Sequence, residues 1–287
     1  MGDSARILMT SPDHYEVCYA INPWMKPEEW AADQGQARHR AKGQWAALAA
    51  ALQAAGMTIE VMPAEPGLPD LVFPANAAIV LDRRALLARF RHPERQGEEA
   101  CFRRLFDGLR QQGRLDEVDQ FPPEEFQEGA GDCIWDAERQ WFWAGHGPRS
   151  TAASLDGIRR FFGRPVIGLE LVTERFYHLD TCFAALSGGE ILYYPAAFSA
   201  ESRAILGELV PAERHIAATA EEAAAFSLNA VNIGRQLIMA PPPPRLRALL
   251  EERGYHCAAL DLSSFVLSGG AAFCMTLRLD LTSRAAA

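Results

Sequence analysis

Two carboxylates separated by three small residues lie near the middle of the chain. Glu128 and Asp132 flank a Gly-Ala-Gly segment, and glycines let the backbone approach a bound group closely. Carboxylates that face the same space can together hold one cationic group. The segment is equally typical of a loop whose acids face water. Its sequence alone leaves both interpretations open.

A histidine and a further carboxylate follow later in the chain. His178 and Asp180 are two positions apart, so on a strand they would face the same side. A histidine beside a carboxylate is the usual pairing for a general acid or base, although a buried histidine can also be hydrogen-bonded for structural reasons. Cys182 lies four residues after His178. No second pair completes a ligand set, so we expect no metal.

The third candidate is Cys274, which follows the small-residue segment 268–272 and Phe273. A thiol at the mouth of a pocket can ionise and act as a nucleophile. Cysteine is also among the residue types most often buried, so a core thiol is the alternative. The remaining cysteines form no CxxC pair and are expected to be reduced core residues: Cys18, Cys101, Cys133, Cys182 and Cys257.

Two asparagines and one arginine complete the set of candidates. Asn22 precedes a proline, which is typical of a turn. Asn76 lies among apolar residues, where an amide needs hydrogen-bond partners. Arg95 can clamp a carboxylate through two parallel hydrogen bonds, or it can be a surface residue of a helix.

The elements that must position these residues alternate between strands and helices, which is typical of an α/β fold. Apolar runs and period-two alternation predict strands at 5–10, 58–62 and 71–81, the last one broken at 74–76. Helical periodicity and glycine stops predict helices at 28–55, 98–112, 154–162, 201–209 and 246–253.

A small or polar residue followed by a short apolar run recurs about every fifty residues. This recurrence is typical either of internal repeats or of ordinary α/β alternation. If the runs are repeats, their opening residues should converge at one end of the strands: Asn76, Asp132, Thr181, Asn229 and Cys274. No linker rich in Gly, Ser or charge interrupts the chain, so we predict one domain over residues 1–287.

The composition excludes several classes of protein. The 287 residues are 49% hydrophobic and 23% charged, as in ordinary globular proteins. A net charge of −9 without a Lys/Arg-rich run argues against nucleic-acid binding. No apolar stretch predicts a membrane span or a secretory signal, so we expect a cytoplasmic protein. The motifs GxGxxG, Walker A, GxSxG and HExxH do not occur, and we expect no cofactor.

Taken in chain order, the acidic pair, the His-x-Asp motif and the late cysteine resemble the guanidino-group-modifying superfamily, the penteins. Asn-Pro-Trp-Met at 22–25, Phe-Pro-Ala-Asn-Ala at 73–77 and Glu-Gly-Ala-Gly-Asp at 128–132 are most similar to its arginine dihydrolases. The resemblance implies an α/β propeller of five ββαβ-type repeats around a pseudo-fivefold axis. It also implies an active site at the centre of that ring.

The resemblance further implies roles for the individual residues. Cys274 becomes the nucleophile and His178 the general acid/base, with Glu128 as a catalytic residue that also holds the guanidinium. Substrate binding is implied for the remaining candidates, the last of them at the substrate α-carboxylate: Asp132, Asp180, Asn22, Asn76 and Arg95. The expected partner is a small cationic guanidino compound, and the resemblance also allows a homo-oligomer.

The reaction implied is hydrolysis at a guanidino carbon through an amidino-cysteine intermediate. Deiminases typically carry Phe-Thr-Arg-Asp where this chain has Phe-Pro-Ala-Asn at 73–76. Because an amide can donate to a carbonyl oxygen, Asn76 can hold a ureido group for a second hydrolysis. This predicts an arginine dihydrolase that forms ornithine, carbon dioxide and ammonia. Arginine deiminase, dimethylargininase, amidinotransferase and a catalytically silent pentein are the alternatives.

Overall fold

The computed structural model describes residues 5–284, whose strands form five sheets of three strands each. The strands are β1 Arg6–Thr10, β2 Thr58–Met62, β3 Ala78–Leu81, β4 Arg84–Leu87, β5 Glu117–Gln120, β6 Cys133–Asp136, β7 Trp141–His146, β8 Val166–Glu170, β9 Phe183–Ala185, β10 Ile191–Tyr193, β11 His215–Ala217, β12 Val231–Ile233, β13 Gln236–Met239, β14 His256–Ala259 and β15 Leu277–Arg278.

The helices lie between these strands and vary from one turn to several turns. They are α1 Pro27–Ala31, α2 Gln34–Ala54, α3 Pro93–Gln96, α4 Glu98–Gln111, α5 Gly129–Asp132, α6 Ser154–Phe162, α7 Ala200–Leu209, α8 Ala220–Ala224, α9 Pro244–Glu252 and α10 Ser263–Val266. Short 3₁₀ turns cover Pro69–Val72, Pro74–Asn76, Glu174–Phe176, Leu179–Thr181, Pro195–Ala197 and Ala212–Arg214.

Every sheet repeats one arrangement. Its first and second strands are antiparallel, and its second and third strands are parallel. A parallel pair needs a crossover connection, and in each sheet a helix provides it. From first to third strand, the sheets are β3-β4-β5, β6-β7-β8, β9-β10-β11, β12-β13-β14 and β15-β1-β2. The predicted series of five ββαβ-type repeats is therefore confirmed.

The two ends of the described chain build the last sheet together. Leu277 of β15 pairs with Leu8 of β1, and β1 then pairs in parallel with β2. Leu8 and Leu277 are both buried in one apolar cluster that also contains residues of β3 and α4. The ring is thus closed by residues that lie far apart in sequence, which makes this sheet dependent on long-range contacts.

The connecting helices cover the outer faces of the sheets with apolar stripes. In α4, the side chains of Phe102, Phe106 and Leu109 are buried, and they pack with β3 and β4 in one cluster. Positions three to four apart lie on one face of a helix. The helical stripe predicted at 98–112 is confirmed by this packing.

The first strands of all five sheets surround a central cavity of about 340 Å³. Its lining includes residues of every first strand, for example Val80, Trp135, Phe183, Val231 and Leu277. The residues that open the repeated apolar runs lie one to three positions before these strands and therefore lie at one end of the ring. The five-repeat propeller and the predicted convergence of those residues are both confirmed.

Several predicted elements differ from the structure for local reasons. The helix expected over 28–55 is divided into α1 and α2, because the backbone of Asp33 leaves the helical conformation, with φ of −150° and ψ of 54°. Residues 71–73 form no strand. Instead Pro69 and Pro74 each begin a 3₁₀ turn, in keeping with the preference of proline for a first helical position.

Two expectations about individual side chains are also wrong. His178 and Asp180 lie not on a strand but at the start of the 3₁₀ turn Leu179–Thr181, so a period of two does not orient them. Among the cysteines expected in the core, Cys18 is exposed and Cys257 is half-buried. All six cysteines are free thiols. Within residues 5–284, no helix is both long and apolar enough to cross a bilayer.

Because Leu277 is buried in the sheet that joins both ends of the chain, Leu277→Ala should lower the free energy of unfolding by about 2–5 kcal/mol. Val61→Ala in β2 of the same sheet is the control. Val61 is 50% exposed, so that change should cost less than about 0.5 kcal/mol. Urea unfolding followed by circular dichroism measures both, and equal losses would contradict the closure of the ring by β15.

Candidate active site

The residues that open the apolar runs meet through short turns at one end of the ring. Helix α5, with Glu128 at its N-terminus, packs against the 3₁₀ turns that carry Asn76 and Asp180. Gly131 allows this approach, since a Cβ there would clash with Nδ2 of Asn76. Gly129 has φ of +63°, and a Cβ there would lie 2.5 Å from a backbone oxygen. The glycines thus permit close packing between side chains of the site.

His178 and Glu128 form a buried pair. Nε2 of His178 lies 2.7 Å from Oε2 of Glu128, and both residues are at most 1% exposed. Burial raises the pKa of Glu128, but the charge of Arg149 and the hydrogen bond from His178 outweigh it and hold that pKa well below its usual range. Glu128 is therefore an ionised acceptor, which places a proton on Nε2 and leaves Nδ1 as the basic atom of the ring.

Cys274 belongs to a buried apolar cluster and also contacts two polar side chains. Its Sγ lies 3.1 Å from Oδ2 of Asp180 and 3.0 Å from Nδ2 of Asn229. The backbone N–H of Cys274 donates to Oδ1 of Asn229 at 3.2 Å. Burial and the adjacent charge of Asp180 raise the pKa of the Cys274 thiol well above its ordinary value. The thiol is therefore protonated until a cation balances that carboxylate.

Asp180 has one carboxylate oxygen without a hydrogen-bond partner. Within residues 5–284, nothing donates to its Oδ1, although that atom is buried. Burial raises the pKa of Asp180 to about 7. The central cavity reaches Asp180, Phe273 and Thr276, but Cys274 itself does not line it. A buried acceptor without a donor is costly, so this oxygen is suited to receive an N–H group of a ligand.

Asp132 uses both of its oxygens within the protein. Oδ1 accepts the backbone N–H of Leu179 at 2.9 Å, and Oδ2 accepts the hydroxyl of Ser150 at 2.6 Å. Burial raises the pKa of Asp132 to about 6. This residue holds the turn between His178 and Asp180 in place. Its predicted contact with a guanidinium stays a prediction.

Asn76 and Arg95 form a second buried unit next to His178. Nδ2 of Asn76 donates to the backbone oxygen of Glu128 at 3.1 Å and lies 3.5 Å from Nδ1 of His178. Oδ1 of Asn76 accepts from Nη1 of Arg95 at 2.9 Å. Arg95 is not a surface residue, since it is 3% exposed and forms an ion pair with Glu98. Its predicted role at an α-carboxylate stays a prediction.

Asn22 lies on a loop at the edge of this cluster and is half-buried. Its Nδ2 donates to the backbone oxygen of Ser268 at 3.0 Å, and its Oδ1 accepts from the N–H of Trp24 at 2.9 Å. Gly269 follows with φ of +84°, and a Cβ there would lie 2.9 Å from Oδ1 of Asn22. Asn22 therefore contacts the segment that leads to Cys274, and its binding of substrate stays a prediction.

Two buried residues of the cluster were not predicted as site residues. Asn229 bridges Cys274 and Asp180, and its place at the opening of a repeated run is the signal that could have identified it. Arg149 donates to Glu128 at 3.0 Å and to the backbone oxygen of Ile21 at 3.0 Å, and its guanidinium lies 4.6 Å from the ring of Tyr177. It follows β7 in a loop without a motif, so only the tertiary structure identifies it.

The cluster resembles the site implied by the sequence, and comparison with known proteins agrees. The family profile described as N,N dimethylarginine dimethylhydrolase, eukaryotic, matches residues 18–281. The chain belongs to this family. This confirms the resemblance to guanidino-group-modifying enzymes, including the expected fold. The prediction of a chemistry centred on a guanidino carbon is in keeping with this membership.

Two curated relatives have named activities. The chain is 42% identical over 279 residues to the bifunctional arginine dihydrolase/ornithine cyclodeaminase ArgZ of Synechocystis, covering 97% of this chain and 38% of that protein. It is 34% identical over 274 residues to the N(G),N(G)-dimethylarginine dimethylaminohydrolase of Mycobacterium tuberculosis, covering 96% of this chain and 85% of that protein. The chain thus spans well under half of the ArgZ protein.

A solved structure supports the same relationship. The N-terminal domain of ArgZ from cyanobacteria, a mutant bound to substrate, has a TM-score of 0.89 with this chain at 39% identity. The match covers 97% of this chain and 99% of that domain. Another variant of that domain, with a TM-score of 0.89, is covalently bound to a reaction intermediate.

The raised pKa of Asp180 predicts a pH-dependent effect of Asp180→Asn on stability. The folded-state pKa is about 7, against an ordinary value of 3.8. Between these values the folded protein holds a proton that the unfolded chain has lost, so Asp180 destabilises the fold more as the pH rises through this interval. Relative to the wild type, the variant should therefore be more stable at pH 8 than at pH 5, by at least about 1 kcal/mol.

Urea unfolding at the two pH values measures this difference. Asp33→Asn, at an exposed position, controls for the general loss of a carboxylate and should show no comparable change between pH 5 and pH 8. An unchanged difference between Asp180→Asn and the wild type at the two pH values would contradict the assignment of a buried, protonatable carboxyl to Asp180.

Proposed function

We propose that this chain hydrolyses the guanidino group of arginine twice, as an arginine dihydrolase. The observation that carries the proposal is the buried contact between Cys274 and Asp180, whose Oδ1 has no donor within the described residues. A planar guanidinium offers N–H donors and a positive charge, which satisfy that oxygen and balance the carboxylate. The family membership and the ArgZ relatives support the same chemistry.

The first hydrolysis begins when the guanidinium binds to Asp180. Its charge offsets the carboxylate that raises the pKa of the Cys274 thiol, so the thiolate forms and attacks the guanidino carbon. His178 gives a proton to the departing nitrogen, and ammonia leaves an amidino-cysteine. The same imidazole then activates water. Hydrolysis of the thioether-like adduct releases the thiol and gives citrulline in the site.

The second hydrolysis depends on retaining this neutral ureido group. A site that offered only carboxylates would favour the cation and release the neutral product. Asn76 presents its amide Nδ2 toward His178, and an amide N–H can donate to a ureido oxygen. A further attack by Cys274 expels a second ammonia, and water releases ornithine carrying a carboxyl on its side-chain nitrogen. Loss of carbon dioxide gives ornithine, so arginine and two waters yield ornithine, carbon dioxide and two ammonia.

A dimethylargininase is the second candidate, because the matched family profile carries that activity in its description. The same cysteine and imidazole would expel dimethylamine instead of ammonia and stop at citrulline. Amidino transfer requires an amine acceptor that outcompetes water, and no observation favours it. A cytoplasmic location and a homo-oligomer stay predictions.

Mass detection of the products tests the proposal directly. With arginine, the purified protein should form ornithine and two equivalents of ammonia, whereas asymmetric dimethylarginine should yield little dimethylamine. Cys274→Ser should lower turnover at least about a thousandfold, because the proposed nucleophile is lost. Cys257→Ser, which changes a half-buried thiol in β14, is the control and should retain activity. Citrulline as the sole product would reject the second hydrolysis.

Asn76→Asp should convert the activity to that of a deiminase. The change replaces an N–H donor by a carboxylate oxygen beside His178, so the neutral ureido group loses its donor while the cation still binds. Citrulline should become the main product, and ornithine should fall at least about tenfold. Chromatography of arginine digests over time measures both products. Undiminished formation of ornithine by this variant would mean that Asn76 does not retain citrulline.

A further inference from the structure

We propose that Glu98 is a positioning residue which, through Arg95, orients the amide of Asn76 and thereby controls whether citrulline is retained. The inference rests on the proposed dihydrolase function, since it concerns the partition between one and two hydrolyses. Glu98 is the first residue of α4 and is fully buried. Its carboxylate binds Arg95, and the contacts of His178 and Cys274 given above do not include Glu98.

Glu98 holds Arg95 through a two-point contact. Oε1 of Glu98 accepts from Nε of Arg95 at 2.8 Å, and Oε2 accepts from Nη2 at 2.8 Å. A bidentate carboxylate fixes both the position and the plane of a guanidinium. Nη2 also donates to the backbone oxygen of Asp70 at 3.2 Å. These contacts direct Nη1 of Arg95 at the Asn76 side chain.

The hydrogen-bond partners of Asn76 determine which end of its side-chain amide faces His178. A guanidinium can only donate, so Nη1 of Arg95 requires Oδ1 of Asn76. The backbone oxygen of Glu128 can only accept, so it requires Nδ2. Both partners favour the same orientation, in which Nδ2 lies toward Nδ1 of His178. The reversed amide would place oxygen against oxygen and donor against donor.

Removing the charge of Glu98 weakens one of these two constraints. In the Glu98→Gln variant, the new amide would accept only one of the hydrogen bonds that the carboxylate accepts, and its nitrogen would oppose a guanidinium N–H. Arg95 would then turn toward other carboxylates in the cluster, and Oδ1 of Asn76 would lose its donor. A reversed or mobile amide presents an oxygen to the ureido oxygen of citrulline, which repels the neutral product. The first hydrolysis, which acts on the cation, does not depend on that donor.

A contribution to the stability of the fold is a weak explanation for the presence of this buried ion pair. Desolvation of a buried pair offsets much of its attraction, and apolar replacements are often neutral or stabilising. Another buried glutamate, in an ion pair away from the cluster, allows a matched comparison. Glu222 is 1% exposed and accepts two hydrogen bonds from Arg245 at 3.0 and 2.8 Å. It lies in α8, and its contacts do not include Asn76 or Arg95.

The test compares the products that Glu98→Gln, Glu222→Gln and the wild type form from arginine. Glu98→Gln should raise the ratio of citrulline to ornithine at least about tenfold, whatever its effect on total arginine consumption. Glu222→Gln should leave the ratio unchanged, even if it lowers the midpoint of urea unfolding. A loss of stability in Glu98→Gln without a change in this ratio would overturn the inference.

Two further variants complete the experiment. In an Asn76→Asp background, Glu98→Gln should change the ratio no further, because the amide on which it acts is absent. If Glu98→Gln does not fold, Glu98→Asp replaces it in the comparison. Aspartate keeps the charge, but its side chain is one methylene shorter and holds Nε and Nη2 of Arg95 less closely. This variant should give an intermediate ratio of citrulline to ornithine. If the wild type forms no ornithine, the proposed function fails and this inference with it. If the wild type forms ornithine and the Glu98 variants form the same ratio, only this inference fails.

Discussion

The structure depends on negative charge held out of water at the centre of a ring. Asp180 is buried, and its Oδ2 accepts a hydrogen bond from the Cys274 thiol. Its Oδ1 has no hydrogen-bond donor among the described residues. Such a group destabilises the fold unless a cation compensates it. Burial and the charge of this carboxylate also raise the pKa of the Cys274 thiol. In the proposed reaction, binding of a cation is thereby coupled to ionisation of the Cys274 thiol.

The neighbouring groups differ from Asp180 because each carboxylate there already has donors. Glu128 accepts hydrogen bonds from His178 and Arg149. Asp132 accepts hydrogen bonds from the backbone N–H of Leu179 and the hydroxyl of Ser150. Ionised Glu128 fixes the proton on Nε2 of the imidazole, whereas Asp132 fixes the backbone that carries it. Three buried acids thus have separate tasks, and their pKa values diverge accordingly: well below the usual range for Glu128 and raised for the other two.

The propeller explains how residues far apart in sequence reach one point. Each repeat begins with a turn that delivers a polar side chain and continues as a first strand beside the central cavity. Five short turns therefore meet at one end of the ring, and the outer helices keep the sheets together. The sheet formed by β15, β1 and β2 closes the ring three residues after Cys274, so that the position of this thiol depends on the pairing of both ends of the described chain.

The sequence by itself indicated the recurring apolar runs, the strands β1, β2 and β3, the helices α2, α4, α6, α7 and α9, and the types of residue that could do chemistry. Cys274, His178, Glu128, Asp180 and Asn76 became candidates through short motifs that resemble those of the guanidino-group-modifying superfamily, and Asn76 and Cys274 also open recurring apolar runs. It could not determine that Glu128 and Asp132 are buried, that His178 lies at a 3₁₀ turn, or that Arg149, Asn229 and Glu98 contact the cluster. Periodicity reports contacts between near neighbours, whereas these contacts join separate repeats. Only the closed ring decides which partners each buried charge receives.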